Sequence, residues 1–153
     1  LVEGPAAFKA SCQVGPGPIY LESEACMRVF KTKGFAKFAR GENLSDAKLC
    51  GAIREVEQGQ IDADYGGGVL KQRVARQGEG KSGGFRVIVC FRQSHRAFFV
   101  HGFAKSEKAN LDVEEVKIYK KLAKYLFALS AQELEDGLNK KDFLEVECDG
   151  EDS

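Results

Sequence analysis

No stretch of this 153-residue chain approaches the run of roughly 20 apolar residues that a membrane-spanning helix needs. The first residues also lack the basic start and apolar core of a secretory signal, so none is expected there. Proline is confined to Pro5, Pro16 and Pro18, and the sole methionine is Met27. Residues 1–26 show no lasting periodicity, whereas a clean pattern starts at Met27. They read as a flexible leader or a non-native extension. No two of the five cysteines form a Cys-x-x-Cys pair, which argues against a structural zinc site or any other metal site. Their number is odd, and Cys50 and Cys90 fall inside apolar patterns, where a free thiol behaves as a small core residue. This usage argues against a disulfide framework and for a reducing, cytoplasmic setting.

Net charge is also lacking, but the zero hides two opposed blocks. Residues 71–108 carry nine Lys or Arg against two acidic residues. Residues 129–153 carry nine acidic residues against two Lys. The basic block is a candidate polyanion site, and the acidic block is a solvated tail or an electrostatic partner for it. With 43% hydrophobic residues and 30% charged, the chain suits one globular domain with a real core.

Residues 28–31 read as a first strand, followed by a short helix with Phe35, Phe38 and Ala39 on one face. Ser45 suits the N-cap of a second helix, in which Leu49, Ile53 and Val56 recur at the helical period. Gly59 suits its stop. Gly66, Gly67 and Gly68 break the chain before a strand at Val69–Val74. A glycine-rich loop leads to strands at residues 85–92 and 96–103, joined by a segment short enough only for a hairpin. Asp112 caps a long helix with Glu115 in its first turn, and Ser130 with Glu133 forms a capping box for a last short one. Residues 142–153 read as acidic and loosely attached. The order β-α-α-β-β-β-α-α predicts an α+β sandwich, with a small, mostly antiparallel sheet and helices packed on one face.

Gly78 to Ser82 superficially suggests a phosphate loop. It fails because Ala75 stands where a glycine is required and because the loop precedes a strand. Asp62-Ala63-Asp64 reads as a turn rather than a metal pair. The basic set is more specific. Lys71 and Arg73 are two apart on a strand and share a face. Arg86 opens the next strand and Lys105 follows the fourth, so these cations can converge beside Phe85 and Phe103. Arg76, Lys81 and Arg92 extend the same basic surface. Convergent cations with aromatic neighbours suit phosphate and base contact, RNA above all. His101 depends on register. If Arg92 pairs with Arg96, His101 faces away from Arg86. If Gln93 pairs with Arg96, His101 lies opposite Ile88 on Arg86's face. His95 falls in the turn and is expected to be exposed.

Three segments carry a resemblance: MRVFKTKGFAKFAR, IDADYGGGVLKQRVARQGEGKSGGFRVIVCFR and RAFFVHGFAKSEKANLD. Across residues 27–129 the chain resembles the RelE/HigB-type toxins of bacterial type II toxin–antitoxin pairs, especially their phage-associated RelE-like branch. Residues 130–153 then form a short helix and an acidic tail beyond the toxin domain. The resemblance implies an endoribonuclease that cuts mRNA on the ribosome without a metal or other cofactor and so inhibits translation. It also implies a cognate antitoxin, of helix-turn-helix type, as partner. The family's basic pair on the second strand corresponds to Lys71 and Arg73. Its arginine after a glycine–aromatic pair corresponds to Arg86, and its basic residue after the last strand to Lys105. Some members place an arginine next and a tyrosine farther on. Here Ser106 and the neighbourhood of Asp112 stand instead, so the general base stays unassigned.

Cleavage of this kind needs a base for the ribose 2′-OH, cations for the pentavalent phosphate and an acid for the leaving 5′-oxygen. Arg86 and Arg73 suit charge stabilisation, because guanidinium stays protonated and grips phosphate oxygens in a fork. Lys71 or Lys105 serves as base only if neighbouring cations depress its pKa, and His101 competes for the proton-transfer role. Two rival readings stay open. One is a toxin on the same scaffold that poisons DNA gyrase, and the other is an RNA-binding protein without catalysis.

Overall fold

The computed structural model describes residues 27–75, 84–104 and 110–148. The elements run β1 (Arg28–Thr32), α1 (Lys33–Glu42), α2 (Asp46–Glu57), β2 (Ala63–Gly66), β3 (Val69–Val74), β4 (Phe85–Arg92), β5 (Arg96–Ala104), α3 (Val113–Ala128), α4 (Ala131–Lys140) and β6 (Phe143–Glu145). The six strands form one sheet in the order β2-β3-β4-β5-β1-β6. β1 and β5 run parallel, and every other neighbouring pair is antiparallel. This is an α+β fold of the expected class.

Local chemistry places the helix ends where the sequence predicts them. The Thr32 hydroxyl accepts from Phe35 N, and the Ser45 hydroxyl from Lys48 N. Asp112 with Glu115 and Ser130 with Glu133 form reciprocal capping boxes, which satisfy backbone donors that no helix turn can reach. Gly59 adopts φ +86° just past α2, a conformation that favours glycine. Gly67 and Gly68, at φ +65° and +86°, form the two-residue turn of a β2–β3 hairpin.

The helices cover both faces of the sheet, not one. β4 alternates strictly, so Phe85, Val87 and Val89 point to one side, where α1 and α2 supply Phe35, Leu49 and Ile53. Ile88 and Cys90 point to the other side, where α3 and α4 supply Ala123, Leu126 and Leu134. The long connections of the chain allow α3 and α4 to cross under the sheet, a choice that strand order alone does not decide. Each large buried side chain contributes about 1.5–3 kcal/mol by leaving water. Phe30 and Phe98, stacked at 4.7 Å between centroids, anchor the second layer with Phe143 edge-on to both.

Two further expectations are corrected at the C-terminal end. Residues 143–145 are not loosely attached: they form the edge strand β6, paired with β1, and Val146 is 1% exposed. The segment from residue 130 thus completes the sheet instead of trailing from it. The pairing carries Cys148 over α2, where it forms a disulfide with Cys50 across 98 residues of sequence. Their Cα atoms are 5.6 Å apart, an ordinary disulfide span. Spacing rules examine near neighbours and miss a partner that only the fold delivers. Cysteine usage therefore no longer argues for a reducing compartment. Cys90, the free cysteine among the described residues, is buried, and burial pushes its thiol up to about 12. It is a core residue, not a nucleophile.

Candidate functional site

The site lies on the α3 side of the sheet, across β3, β4 and β5. Arg73 pairs with Arg86, which pairs in turn with Phe103. One row along, Lys71 pairs with Ile88, and Ile88 with His101. Residues directly opposite in an antiparallel ladder share a face. Lys71, Arg73, Arg86 and His101 are therefore held on one face by backbone pairing.

His101 reaches that face through a bulge. Near the hairpin, Arg92 pairs with Arg96 and Val89 with Phe99. The ladder then shifts, and Ile88 pairs with His101, leaving Val100 as the extra residue on β5. Without Val100 as the extra residue, His101 would fall opposite Val87 and point into the other layer. The hairpin register of one sequence alternative and the His101 placement of the other are thus both present.

The cations gather on Asp62. Its Oδ1 lies 3.1 Å from Arg73 Nε, and its Oδ2 lies 3.3 Å from Lys71 Nζ and 3.6 Å from Arg86 Nε. The contacts at Oδ2 are charge contacts, and no donor among the described residues makes a hydrogen bond to that oxygen. Lys71 Nζ donates to Asn110 Oδ1 at 2.5 Å, just before α3 begins. Tyr65 on β2 accepts from Leu111 N, which ties the same connection to the sheet edge. The Arg86 side chain is 7% exposed, yet its Nη1 has no hydrogen-bond partner among the described residues. A buried, unused guanidinium donor is costly to keep and marks a place where an acceptor belongs. Arg73, at 47% exposure, opens the cluster to solvent.

His101 stacks on Tyr119 of α3 at 5.8 Å between centroids and lies 5.7 Å from Phe103. Burial, then Glu115 and Cys90, push the Tyr119 phenol up, so it stays neutral under ordinary conditions. It braces the imidazole as a flat wall.

Not all expected residues assemble here. Phe85 and Phe103 are 1% and 4% exposed, each in a different core layer, and offer no ring face to a base. That corrects their expected role, because strand alternation sends Phe85 away from the cations and packing on α3 covers Phe103. Arg92 is exposed on the same face but at the opposite end of β4, roughly 20 Å from Arg86 at strand rise. Lys105, Arg76 and Lys81 lie outside the described residues. Conversely, Asp62, Asn110 and Tyr119 belong to the site, and sequence reasoning missed all three. The sequence alone presents Asp62 as a turn residue, and its place just ahead of β2, whose partner strand carries Lys71 and Arg73, is the available signal. Tyr119 was legible only as part of the apolar stripe Val116, Tyr119, Ala123 and Leu126.

Comparison with known families gives one result. The model described as "RelE toxin of RelE / RelB toxin-antitoxin system" matches residues 27–146. That span covers most of the chain, from β1 to just past β6. No curated protein matches the chain. The chain belongs to the RelE toxin family, whose members act as toxins of toxin–antitoxin pairs, generally by inhibiting translation.

Proposed function

We propose that this RelE-family toxin is a metal-independent endoribonuclease that cuts mRNA on the ribosome, in the cytoplasm, until a helix-turn-helix antitoxin binds it. The observation that supports this reading is the cluster of Lys71, Arg73 and Arg86 on one carboxylate, with Arg86 Nη1 unpartnered at its floor. A phosphodiester is the ligand this cluster suits. Its oxygens offer acceptors to Arg86 and Arg73 in fork geometry, and its charge replaces that of Asp62.

In this reading His101 removes the proton of the ribose 2′-OH, because imidazole is the group here whose ordinary range lies near neutrality. The 2′-oxygen bonds to phosphorus, the P–O5′ bond breaks, and the leaving oxygen takes a proton from an acid of the site. Lys71 and Lys105 are the candidates for that second transfer. Arg86 and Arg73 hold the charge that builds on the equatorial oxygens, so the proposed reaction draws on side-chain cations where other nucleases use a metal.

Purified protein added to programmed ribosomes should yield new mRNA ends within the decoded region. Arg86→Ala should lower that cleavage by about 10²–10³-fold. Cutting by Arg86→Ala at the wild-type rate would overturn the site assignment. Intact mRNA alongside stalled gyrase–DNA breaks would overturn the reaction itself.

A further inference from the structure

A second cationic surface lies on the same face, beyond the candidate site. The β2–β3 glycine turn rests against the C-terminal half of α3. A groove of about 620 Å³ opens there, lined by Gly68, Phe91, Arg92, Lys120, Lys124 and Phe127, among others. No acidic residue lines it. Arg92, Lys120 and Lys124 are all exposed, and none of them is ion-paired among the described residues. Lys117, one turn earlier on α3, does have a carboxylate, Glu114 at 3.7 Å. The groove thus concentrates positive charge where α3 has no counter-charge of its own.

Its walls are specific. A Cβ added at Gly68 would come within 2.7 Å of the Phe127 ring, and one at Gly67 within 3.2 Å of the Lys120 stem. The turn therefore needs glycine for backbone conformation and for close approach alike. Arg92 lies over the Phe127 ring, 5.7 Å from its centroid, which fixes the guanidinium as a flat, charged surface. Phe127 is half-buried at the groove, whereas the Phe91 side chain packs in the α1–α2 layer and its backbone meets Gly68.

The geometry points to a second phosphate-binding subsite for single-stranded RNA, in which Lys120 and Lys124 contact the backbone and Arg92 on Phe127 supports a base. It rests on the RNA reading above and extends it. Arg86 and Arg92 lie six residues apart on β4, roughly 20 Å at strand rise, and α3 packs over Ile88 and Cys90 between them, so an RNA seated on the first reaches the second by passing over α3 or the β2 edge. Unpaired lysines beside a flat cationic platform are what backbone tracking with sequence-tolerant stacking requires. An RNA long enough to span both clusters then binds more tightly than one that fills only the first.

The test uses the full chain and two fluorescent 2′-O-methyl RNAs, about 12 and about 4 nucleotides long. Neither can be cut, because the 2′-oxygen has no proton to lose. Lys120→Ala/Lys124→Ala should weaken the longer RNA about tenfold and reduce its salt dependence by roughly 1.4 in the log–log slope. The shorter RNA should bind it as it binds wild type. Arg92→Ala should weaken the longer RNA too, and thermal melts should place both variants with wild type. Equal binding of the longer RNA by all three proteins overturns the subsite. So does loss of a polyglutamate peptide with RNA binding retained, which would make the groove a protein-docking surface. Cleavage is not read here. Wild type that binds without cutting ribosomal mRNA leaves the subsite standing and removes the nuclease reading, whereas cutting with unchanged variant affinity removes the subsite alone.

Discussion

Two clusters of partly buried cations sit at opposite ends of the sheet, and their partners differ. At one end Arg28 grips Glu145 through two nitrogens, at 2.9 and 2.8 Å, and reaches Glu135 at 3.3 Å. Beside it Arg96 Nη1 donates to Leu126 O and Leu129 O, both at 2.9 Å, and so closes the C-terminus of α3. At the other end Lys71, Arg73 and Arg86 share Asp62 at 3.1 to 3.6 Å, with one guanidinium nitrogen unpartnered. The first cluster is built from fixed acceptors at hydrogen-bond distance and holds the fold. The second joins one hydrogen bond, Arg73 Nε to Asp62 Oδ1, with two looser charge contacts at Oδ2, which an incoming anion can replace. Burial alone does not separate Arg96 from Arg86, whereas the state of their donors does.

The comparison is sharpened most by His101, the imidazole on the face of Lys71 and Arg86. His101→Ala should lower mRNA cleavage about a thousandfold and flatten its pH profile near neutrality, measured by mapped mRNA ends. An unchanged rate would return His101 to a packing role against Tyr119. Asp62→Asn comes next. It leaves the buried Arg86 without its carboxylate and should cost on the order of 3 kcal/mol in denaturant unfolding. The same change should tighten RNA at low salt, because the internal competitor for the cations is gone. Stability and affinity falling together would show that Asp62 shapes the site rather than filling it.

Arg96→Ala should cost about 2 kcal/mol by leaving two carbonyls at the end of α3 without their donor. Its folded fraction should cut RNA at the wild-type rate. Lost cutting at an unchanged melting temperature would break the comparison outright. The smallest effect concerns His95, beside the same cluster. Burial, then Arg96 and Arg92, lower its pKa in the folded chain. The unfolded chain therefore binds the proton more readily, so this contribution is complete above the ordinary histidine value and is lost as pH falls below it. His95→Gln should make the acid side of the stability curve slightly less steep in melts from pH 8 to about pH 5.

Much of this was legible because it is local. Thr32, Ser45, Asp112 and Ser130 mark helix starts through hydrogen bonds to residues three positions away. The period-two spacing of Lys71 and Arg73 placed both on one face. What stayed hidden depends on distant parts of the chain. Phe143, Leu144 and Glu145 carry too little pattern to declare a strand, and become one because β1 has an open edge. The Val100 bulge cannot be read from β5 alone, since register belongs to two strands at once. Asp62 resembled any turn aspartate until the neighbouring strands supplied its cations. Cys50 and Cys148 were separated by almost the whole domain.

The pairing of β6 with β1 also sets an order of completion. Translation delivers β1 first and β6 last, so the opening strand waits with a bare edge while the rest of the domain is made. Arg28 acquires Glu145, and Cys50 acquires Cys148, only once those distant residues have been made. A nascent chain of this protein is therefore an unfinished sheet until the residues of β6 have been made and paired with β1.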